Sequence, residues 1–146
     1  MEDYEKAAES RLNDWNALCD KNRKVGIIHM GGIYIECLLK AMICCKYAVS
    51  LGSKPSKWKV DGLPDEVTRP SHDLKAQGYV TLLPDLYDDM SPDVEAALEY
   101  ISEPDNMSYI DYRYIEDDLV SEEKFDTWML HFIELYNYLR EQMSEM

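Results

Sequence analysis

Basic residues are in short supply. Fifteen Lys and Arg stand against 29 Asp and Glu, a formal net charge of −14 at pH 7 in 146 residues. Such a field repels phosphate backbones and disfavours unaided, sequence-independent binding of nucleic acid. Only Lys21, Arg23 and Lys24, or Lys54, Lys57 and Lys59, lie close enough to form a basic strip, and solvated loops are the ordinary use of such clusters. The four cysteines, Cys19, Cys37, Cys44 and Cys45, include no C-x-x-C pair, which argues against a redox or zinc motif. Three of them fall in one apolar run and read as small buried hydrophobes. No Ser/His/Asp or Cys/His pairing can be set by spacing, and no glycine-rich phosphate loop is present. His72 and Asp73 are adjacent but have no defined third ligand, so neither a metal nor a cofactor is implied. The opening MEDYEKAAES is acidic and polar, the reverse of a signal peptide, and the expected location is cytoplasmic.

Phe is rare as well, two residues against eleven Tyr and three Trp. Tyr and Trp carry polar tips, so many of these rings belong at core edges or contact surfaces. The length fits one domain, residues 1–146, large enough for a real core without metal or disulfide.

The stretch Val25 to Tyr47 is the most informative. Val25, Ile28, Gly32, Ile35, Leu39 and Met42 recur at three- and four-residue steps, and Ile27, Gly31, Tyr34, Leu38, Ala41 and Cys45 make a second series. A helix with two apolar faces has to be surrounded, which makes this the central helix of the domain. His29, Glu36, Lys40 and Lys46 inside the run favour a buried helix over a membrane span. His29, Glu36 and Lys40 are spaced by seven and four residues and share one side. A buried carboxylate needs a partner, so Glu36 is the first functional candidate. Gly31 and Gly32, within the helix, permit close packing.

Around it the pattern predicts a first helix over about Asp3 to Asp20 and the central helix from Arg23 to Leu51, stopped by Gly52. A loop with an extended turn near Lys57 to Val60 leads to Pro70, and a short helix is capped by Ser71 and left at Gly78. Ser91-Pro92 starts a third main helix with Val94, Ala97, Leu98 and Ile101 inward. Ser108 to Leu119 reads as irregular. Ser121 starts a last helix with Phe125, Trp128, Phe132, Leu135 and Leu139 inward. The expectation is an all-α antiparallel up-and-down bundle of four to five helices.

The block RLNDWNALCDKNRKVGIIHMGGIYIECLLKAMI resembles the opening helix pair of HEPN domains, through Arg11, Leu12, Arg23, Gly32, Glu36, Cys37, Leu39 and Lys40. SHDL at Ser71 to Leu74 is similar to that family's His-x-Leu helix start, and Arg113-Tyr114 to an Arg-Tyr pair before its last helix. The resemblance implies a helical bundle, commonly dimeric, linked to RNA cleavage, nucleotide binding, or toxin–antitoxin and defence systems. Ribonuclease members carry Arg followed by His after four to six residues. Here Arg113 is followed by Glu116, Asp117 and Asp118 and no histidine before His131. Metal-independent RNA cleavage needs an acid or base near neutrality, and three acids in its place repel the scissile phosphate.

Glu36 and Arg113 are expected to form a buried ion pair, either fixing the segment Ile110 to Leu119 or flooring a polar ligand pocket with Lys40, His29, Asp73 and Tyr114. Three functions follow. The first is a HEPN-like binding module without nuclease activity, a homodimer with a nucleotidyltransferase or antitoxin-like partner, or a binder of an RNA-related or nucleotide ligand. The second is a ribonuclease with a rearranged site, Arg113 being assisted by His29, His72 or His131. The third is an acidic structural partner or inhibitor, in which Tyr87 to Asp93 and Asp111 to Asp118, interleaved with tyrosines, meet a basic protein.

Overall fold

A computed structural model describes residues 2–146. Among these, six α-helices and a small sheet occur in the order α1 Tyr4–Asp20, α2 Lys24–Lys46, β1 Val49–Leu51, β2 Lys57–Val60, β3 Val67–Thr68, α3 Gln77–Leu82, α4 Pro84–Asp88, α5 Pro92–Ser102 and α6 Glu122–Ser144. Three 3-10 turns, Pro104–Asn106, Tyr109–Tyr114 and Asp117–Leu119, bridge α5 to α6.

α2 is the centre. Ile28, Ile35, Leu39 and Ile43 are fully buried, and its neighbours cover it except along one partly exposed side that carries His29, Met30, Ile33 and Cys37. By length and composition α2 could cross a membrane, but 72% of its most apolar window lies inside the protein's own fold. α1 folds back antiparallel against it: Trp15 Nε1 donates to the Ile27 carbonyl at 3.1 Å, while Tyr4 lies over Lys40 near the far end. α6 crosses α2 in the same direction as α2, since Trp128 packs at Gly31 and Tyr136 at Tyr34. α5 runs antiparallel to α6, with the Tyr100 and His131 rings stacked 4.6 Å apart. The inward faces expected for α5 and α6 are the buried ones.

The start of α2 is capped from far away. Arg23 occupies the N-cap position and makes no side-chain cap bond. Asp117 supplies it, accepting from the Val25 amide at 2.9 Å and the Lys24 amide at 3.3 Å. A carboxylate on the free amides of a helix start satisfies them and complements the dipole.

The chain is mostly helical, as expected, with one small three-stranded sheet that was not. The central helix ends at Lys46 instead of Leu51, because Tyr47 turns extended and Val49–Leu51 pairs antiparallel with β2. β3 pairs with the other edge of β2, giving the order β1-β2-β3. The driving residues are Trp58 and Val60, which alternate into the core at 1% exposure each, Trp58 against Tyr4 with ring centroids 5.8 Å apart. Gly52 is not a helix stop. A Cβ there would lie 2.9 Å from the Lys57 backbone, so the glycine permits the close approach of the hairpin arms. The short helix expected after Ser71 is also displaced: α3 begins at Gln77, with Gly78 inside it. Residues 71–76 are held open by tertiary bonds, the Leu74 amide donating to buried Ser102 Oγ at 3.1 Å and the Tyr79 hydroxyl to the Ser71 carbonyl at 2.7 Å.

Candidate functional site

The buried carboxylate of Glu36 collects three partners. Lys40, one turn on and 3% exposed, gives an Nζ to Glu36 Oε2 contact of 2.8 Å. The Tyr109 hydroxyl donates to Oε1 at 2.5 Å, and His72 Nδ1 lies 2.5 Å from the same oxygen. Gly32 sets this geometry. Its Cβ, if present, would sit 2.2 Å from the Tyr109 ring, so only glycine lets that ring lie flat on α2 one turn below the carboxylate. The adjacent Gly31 does the same for Trp128 on another side of the helix. Tyr4 closes the knot, its ring 5.6 Å from Lys40 Nζ.

Burial pushes the Glu36 carboxyl up, but the bond and charge of Lys40, then Tyr109 and His72, outweigh it and hold its pKa below the usual 4.5. Burial, and then the facing carboxylate, raise the Tyr109 hydroxyl well above its ordinary value, so it stays a donor. An ionised Glu36 only accepts, so His72 Nδ1 is the donor in their contact. The His72 side chain is 59% exposed, against 11% for Glu36. Its loop is pinned at Ser71, at Leu74 and by the Tyr87 hydroxyl, which donates to the Leu74 carbonyl at 2.7 Å. The arrangement is a solvent-facing imidazole oriented by an inner carboxylate, itself fixed by a cation and a phenol.

The other sequence candidates lie away from Glu36, with Arg113 near enough to His29 to act on its charge. Arg113 does not pair with Glu36. It is exposed, and its guanidinium stacks over the Tyr114 ring at 4.8 Å, that ring being 74% exposed. The 3-10 turn seats Tyr109 on Gly32 and so fills the carboxylate with a residue four positions before the expected arginine. His29 is half-buried, and its Nε2 has no hydrogen-bond partner among the described residues. Burial, with Arg113 adding to it, lowers its pKa below 6.5. Asp73 is exposed and accepts from the Lys75 amide at 3.0 Å, a local turn bond. His131 stacks on Tyr100, away from Glu36. Among the described residues no group of three or more His, Cys, Asp or Glu is arranged to hold a metal.

Sequence reasoning missed Tyr109, Ser102 and Asp117. Tyr109 carries no local signal, because its role depends on a glycine 77 positions earlier. Asp117 left a trace: a long helix whose N-cap position is arginine has to find its cap elsewhere. The acidic, tyrosine-rich tracts also read differently in three dimensions. Tyr109 and Tyr112 are buried, Tyr87 is spent on Leu74, and Asp117 caps α2, which leaves Tyr114 as the freely exposed ring of the four.

No family model matches this chain, and neither a curated protein nor a solved structure does.

Proposed function

We propose that the chain is a HEPN-like helical module that acts by binding, with a nucleotidyltransferase-like or antitoxin-like protein or a nucleotide-related ligand as its partner, and that it works as a homodimer in the cytoplasm. The observation that carries this reading is the saturation of Glu36. Lys40, Tyr109 and His72 take up both its oxygens, and Arg113 stands elsewhere, nearer His29, so the expected guanidinium does not join His72 at the carboxylate. The knot fixes the His72 loop and the Tyr109 turn against α2, which makes a rigid surface rather than a reactive cleft. The surplus negative charge favours a basic protein contact. Capture of a partner at low salt that is lost at high salt supports this, while purified protein that cleaves RNA without metal contradicts it.

A second reading, a ribonuclease with a rearranged site, has one observation in its favour. The His72 side chain is largely exposed while Glu36 holds its Nδ1, the arrangement of a general base with its orienting carboxylate. If cleavage is found, this reading expects it to vanish in His72→Ala and to survive in His131→Ala. Loss in Arg113→Ala as well would bring the exposed guanidinium into the chemistry.

A further inference from the structure

Helix α6 has a second patterned face. Asp126, Leu130, Ile133, Asn137 and Arg140 are all exposed and follow one another at steps of four, three, four and three residues. At about 100° per residue they stay within a sector roughly 80° wide, on the side away from Trp128, Leu135 and Leu139. Leu130 is 71% exposed and Ile133 48%, two large aliphatic side chains a turn apart in water. Beside them, between α1 and α6, runs a groove of about 320 Å³ lined by Leu12, Trp15, Phe132, Ile133, Tyr136 and Asn137. The ends of the stripe carry opposite charge, Asp126 and Arg140, each seven residues from Ile133. Neither has an ion-pair partner among the described residues.

We propose that this face binds the same face of a second copy of the chain, α6 against α6 antiparallel, about a two-fold axis at Ile133. The stripe is self-complementary in that arrangement only. Antiparallel pairing sets Asp126 of each copy against Arg140 of the other, whereas parallel pairing stacks like charge on like. It also places Leu130 of each copy opposite Tyr136 and Asn137 of the other, over the groove. A stable interface takes about 800 Å² from each partner, more than one helix stripe supplies, so Leu12 and Trp15 on the α1 flank join it. One contact opposes the pairing: Glu134, next to the axis, faces its own copy. The homodimer named above is thereby given a surface, and failure of this surface leaves the reading of the Glu36 knot untouched.

Sedimentation equilibrium of the full chain tests it, with circular dichroism to show that each variant is folded. Wild type is expected to dimerise and Leu130→Glu to be monomeric. Asp126→Arg and Arg140→Asp should each weaken the dimer at least about tenfold, and the double variant Asp126→Arg/Arg140→Asp should restore it, because the exchanged charges meet again across the axis. Glu134→Gln should tighten it. The proposal is overturned by a wild-type chain that stays monomeric to about 1 mM. A dimer indifferent to Leu130→Glu, or a double variant no tighter than the single ones, would overturn it equally.

Discussion

Two adjacent glycines of α2, Gly31 and Gly32, each hold an aromatic ring, and the two rings do different work. At Gly31 the Trp128 ring arrives from α6 and packs among apolar neighbours, 5.0 Å from Phe132, with its indole N–H unpartnered among the described residues. At Gly32 the Tyr109 ring arrives from a 3-10 turn and delivers its hydroxyl to Glu36. One side of the helix is held by shape and exclusion of water, the other by a charge that cannot stay buried alone. A single residue of offset on one helix therefore separates a packing surface from the side where Glu36 gathers its polar partners.

The largest test of that contrast removes the carboxylate. Glu36→Ala leaves Lys40 buried without its anion and Tyr109 without its acceptor, and it is expected to cost about 3–5 kcal/mol in urea unfolding. A loss below about 1 kcal/mol would mean the knot is ornamental. Next come the glycines. Gly31→Ala and Gly32→Ala both force a ring away, at about 1–3 kcal/mol each for overpacking. Gly32→Ala should be the worse of the two by about 1.5–3 kcal/mol, because displacing Tyr109 also breaks a bond to a charged group. Equal losses would erase the distinction between the two sides.

The smallest effect is read from pH. Glu36 has a folded pKa below 4.5, so as pH falls the unfolded chain takes up that proton first. Its stabilisation is complete above about pH 4.5 and is lost below it. His29, whose folded pKa lies below 6.5, behaves in the same direction but earlier, stability declining as pH drops through about 6.5. Urea midpoints measured against pH should show both limbs, the upper flattened by His29→Gln and the lower by Glu36→Gln. A profile in which His29→Gln changes nothing above pH 5 would contradict the burial assigned to that ring.

The apolar side was legible in the sequence. The double periodicity of α2 and the stripes of α5 and α6 predicted most of the residues that turn inward, but Cys44 and Cys45, expected as small buried hydrophobes, are exposed at the end of α2 where the covering elements stop. Ser91 and Ser121 cap where expected, accepting from the Val94 and Lys124 amides. What was lost is non-local or short. The strands are two to four residues long, too brief for a period to emerge from Lys57 to Val60. The expected helix after Ser71 gave way to a bond between the Leu74 amide and Ser102, a partner 28 residues away that no local window contains, and to one from the Tyr79 hydroxyl to the Ser71 carbonyl. At the site, the burial and cost of Glu36 could be argued from its helix, but the identity of its partners could not. Arg113 was expected on charge alone, whereas a neutral phenol and an imidazole, brought in by a glycine and a pinned loop, fill the place at short range.

The claim that Glu36 and Tyr109 form one cooperative unit across the Gly32 face is tested most directly by a double-mutant cycle. Urea unfolding of wild type, Glu36→Gln, Tyr109→Phe and the double variant should return a coupling energy of at least about 1 kcal/mol, the second change costing far less once the first is made. Losses that add, with coupling within about 0.3 kcal/mol of zero, would contradict the account.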